Sequence, residues 1–126
     1  MAIVGIGTDI VEIARIGEQR QRLGDRLAKR VLTESELATY LQSKQPERFL
    51  AKRFAAKEAA AKALGTGIGR GVSFQHIHIY NDANGAPLIR FTDGALARLE
   101  QLSGRCGFIS IADEQHYAVA TVVLES

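Results

Sequence analysis

An α+β fold, with an antiparallel sheet packed against a long central helix, is what this sequence predicts, and three features carry the expectation. The β-branched runs lie mostly next to one another along the chain, which favours hairpins over crossover units. An alanine-rich helical stretch from Pro46 to about Leu64 occupies the middle. The 126 residues, 46% hydrophobic and 24% charged, are enough for one core and are expected to form one domain spanning 1–126.

Ile3 to Val11 reads as the first strand, rich in β-branched residues and interrupted by Gly5 and Gly7. A helix is predicted from Ala14 to about Leu32, with Gly24 as a break or kink. Thr33-Glu34-Ser35-Glu36 has the form of a capping box and opens a short helix to about Gln42. Pro46 suits the first turn of the long helix, where a missing N–H costs nothing, and Gly65 suits its left-handed C-terminal cap. Ser73–Tyr80 and Pro87–Phe91 read as strands joined by a turn containing Asn84-Gly85. Thr92 is placed to cap a helix through Leu102, and Gly107–Ala112 and Tyr117–Leu124 close the chain as strands.

The apolar stretch Met1–Ile13 contains Asp9 and Glu12 and no Lys or Arg, unlike a secretory signal. No run approaches the roughly 18 apolar residues of a membrane span. Cys106 is the single cysteine, and the expected compartment is the cytoplasm. Net charge is only +2, yet Arg15, Arg20, Arg22, Arg26, Lys29 and Arg30 cluster early against Glu18 and Asp25. Such a patch suits an acidic protein or a nucleic acid, or is a solvated helix face. Aromatics make up 6% and none is interleaved with those arginines, so a base-stacking platform is disfavoured.

The chemistry-bearing residues lie in three places. In the long helix, Leu50, Phe54, Ala61 and Leu64 form an apolar stripe at about 100° per residue, with Lys57 inside it. Lys57 either snorkels from the core edge or serves a site. Glu58 and Lys62 share a face made shallow by Ala51, Ala55 and Ala59; spacing alone allows a plain surface ion pair of about 0.3–0.5 kcal/mol. In the first strand, alternation places Ile3, Gly5, Gly7 and Asp9 on one face. Absent side chains beside an acid leave room for a ligand or a neighbouring helix, or mark a bulge. If the alanine face packs on the glycine face, Asp9 and Glu58 converge as two oxygen ligands, a set sufficient for Mg²⁺ completed by water and phosphates. Third, Gly65-Thr66-Gly67-Ile68-Gly69-Arg70-Gly71 is either a flexible connector or a loop offering amides to a phosphate. His76 and His78 alternate on a strand without a further ligand at metal-binding spacing.

Gly5-Ile6-Gly7-Thr8-Asp9-Ile10 and Phe54-Ala55-Ala56-Lys57-Glu58-Ala59-Ala60-Ala61-Lys62-Ala63 resemble the two motifs, the second of form F-x-x-K-E-A-x-x-K, of the holo-acyl-carrier-protein synthases, a short type of 4'-phosphopantetheinyl transferase. The likeness continues through Gly65-Thr66-Gly67 and Tyr117-Ala118-Val119-Ala120 and covers nearly the whole chain. It implies a transferase that moves the phosphopantetheine arm of coenzyme A to a serine of apo acyl carrier protein, in support of fatty acid biosynthesis. It also implies Mg²⁺ held by Asp9 and Glu58, with Lys62 near the coenzyme's diphosphate and Lys57 supporting the catalytic group. The general base stays open between Glu58 and a water that it orients. Gly65, Thr66 and Gly67 are implied beside the coenzyme, and Lys44, Arg48 and Arg53 at its 3'-phosphate. Arg15 matches a position that contacts the acidic carrier protein, with Arg22 and Arg26 in the same patch. A homotrimer with clefts between subunits is implied, with neither nucleic acid nor membrane as partner. Many relatives carry a histidine where this chain has Asp113.

Overall fold

β1 (Ile3–Glu12) runs directly into α1 (Ile13–Leu23). In the computed structural model, which describes residues 1–126, α2 (Arg26–Val31), α3 (Glu34–Gln42) and α4 (Pro46–Ala63) follow. A 3-10 turn at Phe74–His76 leads into β2 (Ile77–Asn81) and β3 (Pro87–Phe91), then α5 (Asp93–Gln101), β4 (Cys106–Asp113) and β5 (Tyr117–Glu125). Every ladder is antiparallel, as the sequence predicts, but the strands form two sheets: β1-β5-β4 and the β2-β3 hairpin. The chain's two ends meet, the Ser126 amide donating to the Ala2 carbonyl at 2.9 Å.

Local chemistry sets the boundaries. The Thr33 amide donates to Glu36 Oε1 at 2.9 Å and the Glu36 amide to Thr33 Oγ1 at 3.5 Å, which is the expected capping box. Gly24, at φ 64°, splits the expected 14–32 helix into α1 and α2. The elbow is pinned by Tyr40, whose hydroxyl donates to Asp25 Oδ1 at 2.9 Å and accepts from Arg20 Nε at 2.9 Å. Two expectations fail for the same reason, a side chain finding a nearer partner. The Ser73 hydroxyl accepts the Gln75 amide and His76 Nδ1 accepts the Ser73 amide, each at 3.1 Å, so residues 74–76 curl before the strand begins at Ile77. Thr92 precedes α5 but makes no capping bond; its hydroxyl lies 3.2 Å from His78 Nε2.

β1 and α4 meet as closely as backbones allow. A Cβ at Gly5 would collide with the Ala63 carbonyl, and one at Gly7 with the Ala59 carbonyl and the Ala63 amide, so the space left by the two glycines is filled by the helix. A bulge between Ile3 and Gly5 turns Ile3 outward and Val4 toward the core, correcting the alternation expected at Ile3. From Gly5 onward the alternation holds, with Gly7 and Val11 buried and Ile6, Thr8 and Ile10 exposed. Gly7→Ala is expected to destabilise the fold by about 1–3 kcal/mol through overpacking. An unchanged urea midpoint would show that strand and helix are not in such close contact.

The other face of the three-stranded sheet has no cover. Ile6, Ile10, Phe108 and Val119 are 66%, 63%, 56% and 37% exposed, and the register pairs Ile10 with Val119 and Phe108 with Val123. No helix of the chain is long and apolar enough to cross a membrane.

Candidate active site

The close approach of β1 and α4 builds a cavity of about 400 Å³, with Asp9 and Glu12 on β1, Arg15 on α1, Arg30 on α2, and Phe54 and Glu58 on α4. Asp9 and Glu58 therefore face one space, and the charge of Asp9 acts on Glu58. Burial and then Asp9 push the Glu58 carboxyl above the usual carboxylate range, while Lys62 and Arg30 pull it back. Glu58 has no ion-pair or hydrogen-bond partner within the chain. The surface pair that spacing allows between Glu58 and Lys62 does not form, because Lys62 Nζ turns to Asp9 Oδ1 at 2.9 Å and the Thr8 carbonyl at 3.1 Å.

This donor set fits a hard divalent cation. Three carboxylates, those of Asp9, Glu12 and Glu58, line the cavity; Glu58 has no partner within the chain, and burial and the charge of Asp9 disfavour its ionised form. No group of three or more His, Cys, Asp or Glu side chains gathers closely enough to hold a metal ion by itself. Nothing about the histidines competes with this: His76 and His78 are engaged with the Ser73 amide and Thr92.

Lys57 is placed differently from its expected company of catalytic groups. It neither snorkels nor reaches the cavity: its side chain is 0% exposed, and its ammonium lies 2.6 Å from Glu36 Oε1 and donates to the carbonyls of Val31 at 2.8 Å and Phe74 at 3.1 Å. Glu36 Oε2 in turn accepts the Ile79 amide at 2.8 Å. Burial pushes the Lys57 ammonium down in pKa and Glu36 opposes it. The pair ties α2, α3, α4 and β2 together.

The backbone amides of Gly65, Thr66 and Gly67 are already engaged. Their amides donate to Lys62 at 2.9 Å and to Ala61 at 3.3 and 3.1 Å, with Gly65 at φ 79° and Gly67 at φ 65°. They satisfy the open carbonyls of α4 and so have no N–H left for a phosphate.

A second cavity, of about 310 Å³, lies beside the N-terminal half of α4 and gathers Arg48, Phe49, Lys52, Arg53, Asn81 and Gly85. Arg53 stacks over Phe49 at 5.0 Å and donates to Asn81 Oδ1 at 3.1 Å, and burial pulls its pKa down. Arg48 donates to Asp113 Oδ2 at 2.8 Å and to the carbonyls of Glu114 and Gln115 at 2.7 and 3.2 Å. Lys44, expected with Arg48 and Arg53, is exposed and does not line this cavity. Lys52 and Asn81 do, and the sequence had not singled them out: Lys52 carries no spacing signal of its own, and Asn81 belongs to a strand distant in the chain. Arg15 and Arg30 line the first cavity, whereas Arg22 and Arg26 are exposed and do not line it, and Arg20 is taken out of the basic patch by Tyr40 and Glu47.

The likeness to known proteins covers this whole arrangement. Residues 5–122 match the family model described as the 4'-phosphopantetheinyl transferase superfamily. The chain is 90% identical, over 100% of both sequences, to a holo-[acyl-carrier-protein] synthase of Shewanella frigidimarina. The crystal structure of the Neisseria meningitidis holo-[acyl-carrier-protein] synthase superposes with a TM-score of 0.92 at 43% identity, covering 99% of this chain and 100% of that one. The Helicobacter pylori enzyme, solved in complex with coenzyme A, superposes with a TM-score of 0.83 at 33% identity, covering 95% and 99%. With both motif-bearing elements inside the matched span and packed into one acidic cavity, the chain belongs to the 4'-phosphopantetheinyl transferase superfamily.

Proposed function

We propose that this protein transfers the 4'-phosphopantetheine group of coenzyme A to a serine of apo acyl carrier protein, in a Mg²⁺-dependent reaction that serves fatty acid biosynthesis. The observation that carries the reading is the shared cavity of Asp9 and the unpartnered Glu58. Asp9 and Glu58 would hold Mg²⁺, which when bound supplies charge neutralisation for the coenzyme's diphosphate.

The carrier serine oxygen attacks the β-phosphorus, the bond from that phosphorus to the bridging oxygen breaks, and adenosine 3',5'-bisphosphate leaves. Lys62, at 2.9 Å from Asp9 and half-exposed, is free to turn from that carboxylate to the diphosphate oxygens. The raised pKa of Glu58 suits it to receive the serine proton, directly or through a water. Arg53 and Arg48 line the cavity assigned to the coenzyme's nucleotide end. Arg15 lines the acidic cavity, and the exposed Arg22 and Arg26 follow it on α1 and α2, a basic surface that an acidic carrier protein would meet when presenting its serine. Assembly as a homotrimer with clefts between subunits is supported by the uncovered apolar sheet face, which runs through Ile10 to the cavity wall.

Incubating an apo carrier protein with this protein, coenzyme A and Mg²⁺ is expected to add one phosphopantetheine in intact-mass analysis. The gain should vanish with a chelator; no gain, or a gain that survives chelation, would overturn the activity or the metal assignment respectively. Arg15→Ala is expected to slow association with the carrier protein, with the deficit shrinking as ionic strength rises. A deficit in kcat/KM that does not respond to salt would argue against steering by this residue.

A further inference from the structure

The nucleotide-side cavity is less cationic than its composition suggests. Arg48, Lys52 and Arg53 face it, but Asp113, at the end of β4, sits 2.8 Å from Arg48 through Oδ2 and 3.4 Å from Lys52 through Oδ1. Only Arg53 meets no carboxylate, its partner being the neutral Asn81. Asp113 does not itself line the cavity; a phosphate entering it would compete with the carboxylate through the two cations that both can engage.

The carboxylate is not required to place Arg48. The carbonyls of Glu114 and Gln115 already fix that guanidinium at 2.7 and 3.2 Å, and the ion pairs are partly exposed, so they add little to stability. What the negative charge does is weaken the cavity's field toward an anion.

We propose that Asp113 is an internal competitor for the phosphate bound in this cavity, a residue that loosens the hold on the coenzyme's nucleotide end and on the bisphosphate product alike. This rests on assigning the cavity to the nucleotide end, as above. Substrate and product carry the same 3'-phosphate, so a carboxylate that exchanges with it favours release after transfer.

Titration calorimetry with adenosine 3',5'-bisphosphate on wild type, Asp113→Asn, Asp113→Ala and Arg53→Ala separates the possibilities. Both Asp113 variants are expected to bind about two- to tenfold more tightly, the range set by losing two partly exposed pairs. Product inhibition in the transfer assay should strengthen in parallel. Unchanged or weaker binding in both Asp113 variants, with Arg53→Ala impaired, would leave the cavity as the nucleotide subsite and reduce Asp113 to a brace of the β4–β5 turn. Equal binding by wild type and Arg53→Ala would instead remove the subsite assignment, and the competitor role with it.

Discussion

Glu58→Gln is expected to transfer phosphopantetheine about 10²–10⁴-fold more slowly and yet to melt at a higher temperature than the wild type at neutral pH. The two effects share one cause. Burial and the Asp9 charge make the Glu58 carboxylate less favourable in the fold than in the open chain, which is why its pKa is raised. A carboxyl that holds its proton more tightly when folded contributes stability at low pH and loses it as pH rises from the ordinary carboxylate range through the raised value. The melting-temperature gain of Glu58→Gln should therefore be largest above that window and fade as pH falls below the ordinary carboxylate range, where Glu58 is protonated in either state. Thermal shift by Mg²⁺ should be lost in the variant. An unchanged Mg²⁺ shift would remove Glu58 from the metal site, and a variant less stable than wild type at neutral pH would contradict the electrostatic origin of the pKa.

Lys57→Met is expected to destabilise the fold by about 3–5 kcal/mol, because it strands the Glu36 carboxylate in the core without its cation. The carbonyls of Val31 and Phe74 lose a donor at the same time. Lys57→Met combined with Glu36→Gln should recover part of the loss, since the uncompensated charge is gone, although Gln keeps only some of the bonds to the Thr33 and Ile79 amides. Urea denaturation of the single and double variants measures this directly. A single variant as stable as wild type, but inactive, would return Lys57 to the catalytic group and refute its structural role.

These two residues are neighbours in sequence and lie in opposite surroundings, one sealed in the core and one facing the cavity, and nothing in their spacing separates them. Lys57 lies in an apolar stripe and Glu58 beside it, and either could belong to a site when the helix is considered alone. What decides is the partner across space. Glu36, known from sequence only as half of a capping box, turns its carboxylate to Lys57 and the Ile79 amide, whereas Glu58 is left facing Asp9. The Gly65–Gly67 amides were ambiguous in the same way: glycine content allows both a phosphate loop and a helix cap, and the open carbonyls of α4 claimed them.

The placement of Gly5, Gly7 and Asp9 on one strand face was legible because strand alternation is a short-range property, whereas which of the open explanations for the glycines holds, the close packing of a helix, needed the tertiary contact. The same short-range chemistry made the Thr33 cap, the Pro46 helix start and the Asn84-Gly85 hairpin readable, since each depends on residues within a turn of one another. By itself, then, the sequence determined the helices and most of the strands, the antiparallel pairing, and that a glycine-faced strand and an alanine-faced helix carry the acids. Tertiary structure alone decided that the three-stranded sheet excludes the β2-β3 hairpin, that Lys57 is sealed in the core, and that Asp113 pairs with both Arg48 and Lys52. Each of those outcomes depends on charges and donors brought together from distant parts of the chain, where the nearest partner in space, and not the local pattern, has the lowest free energy.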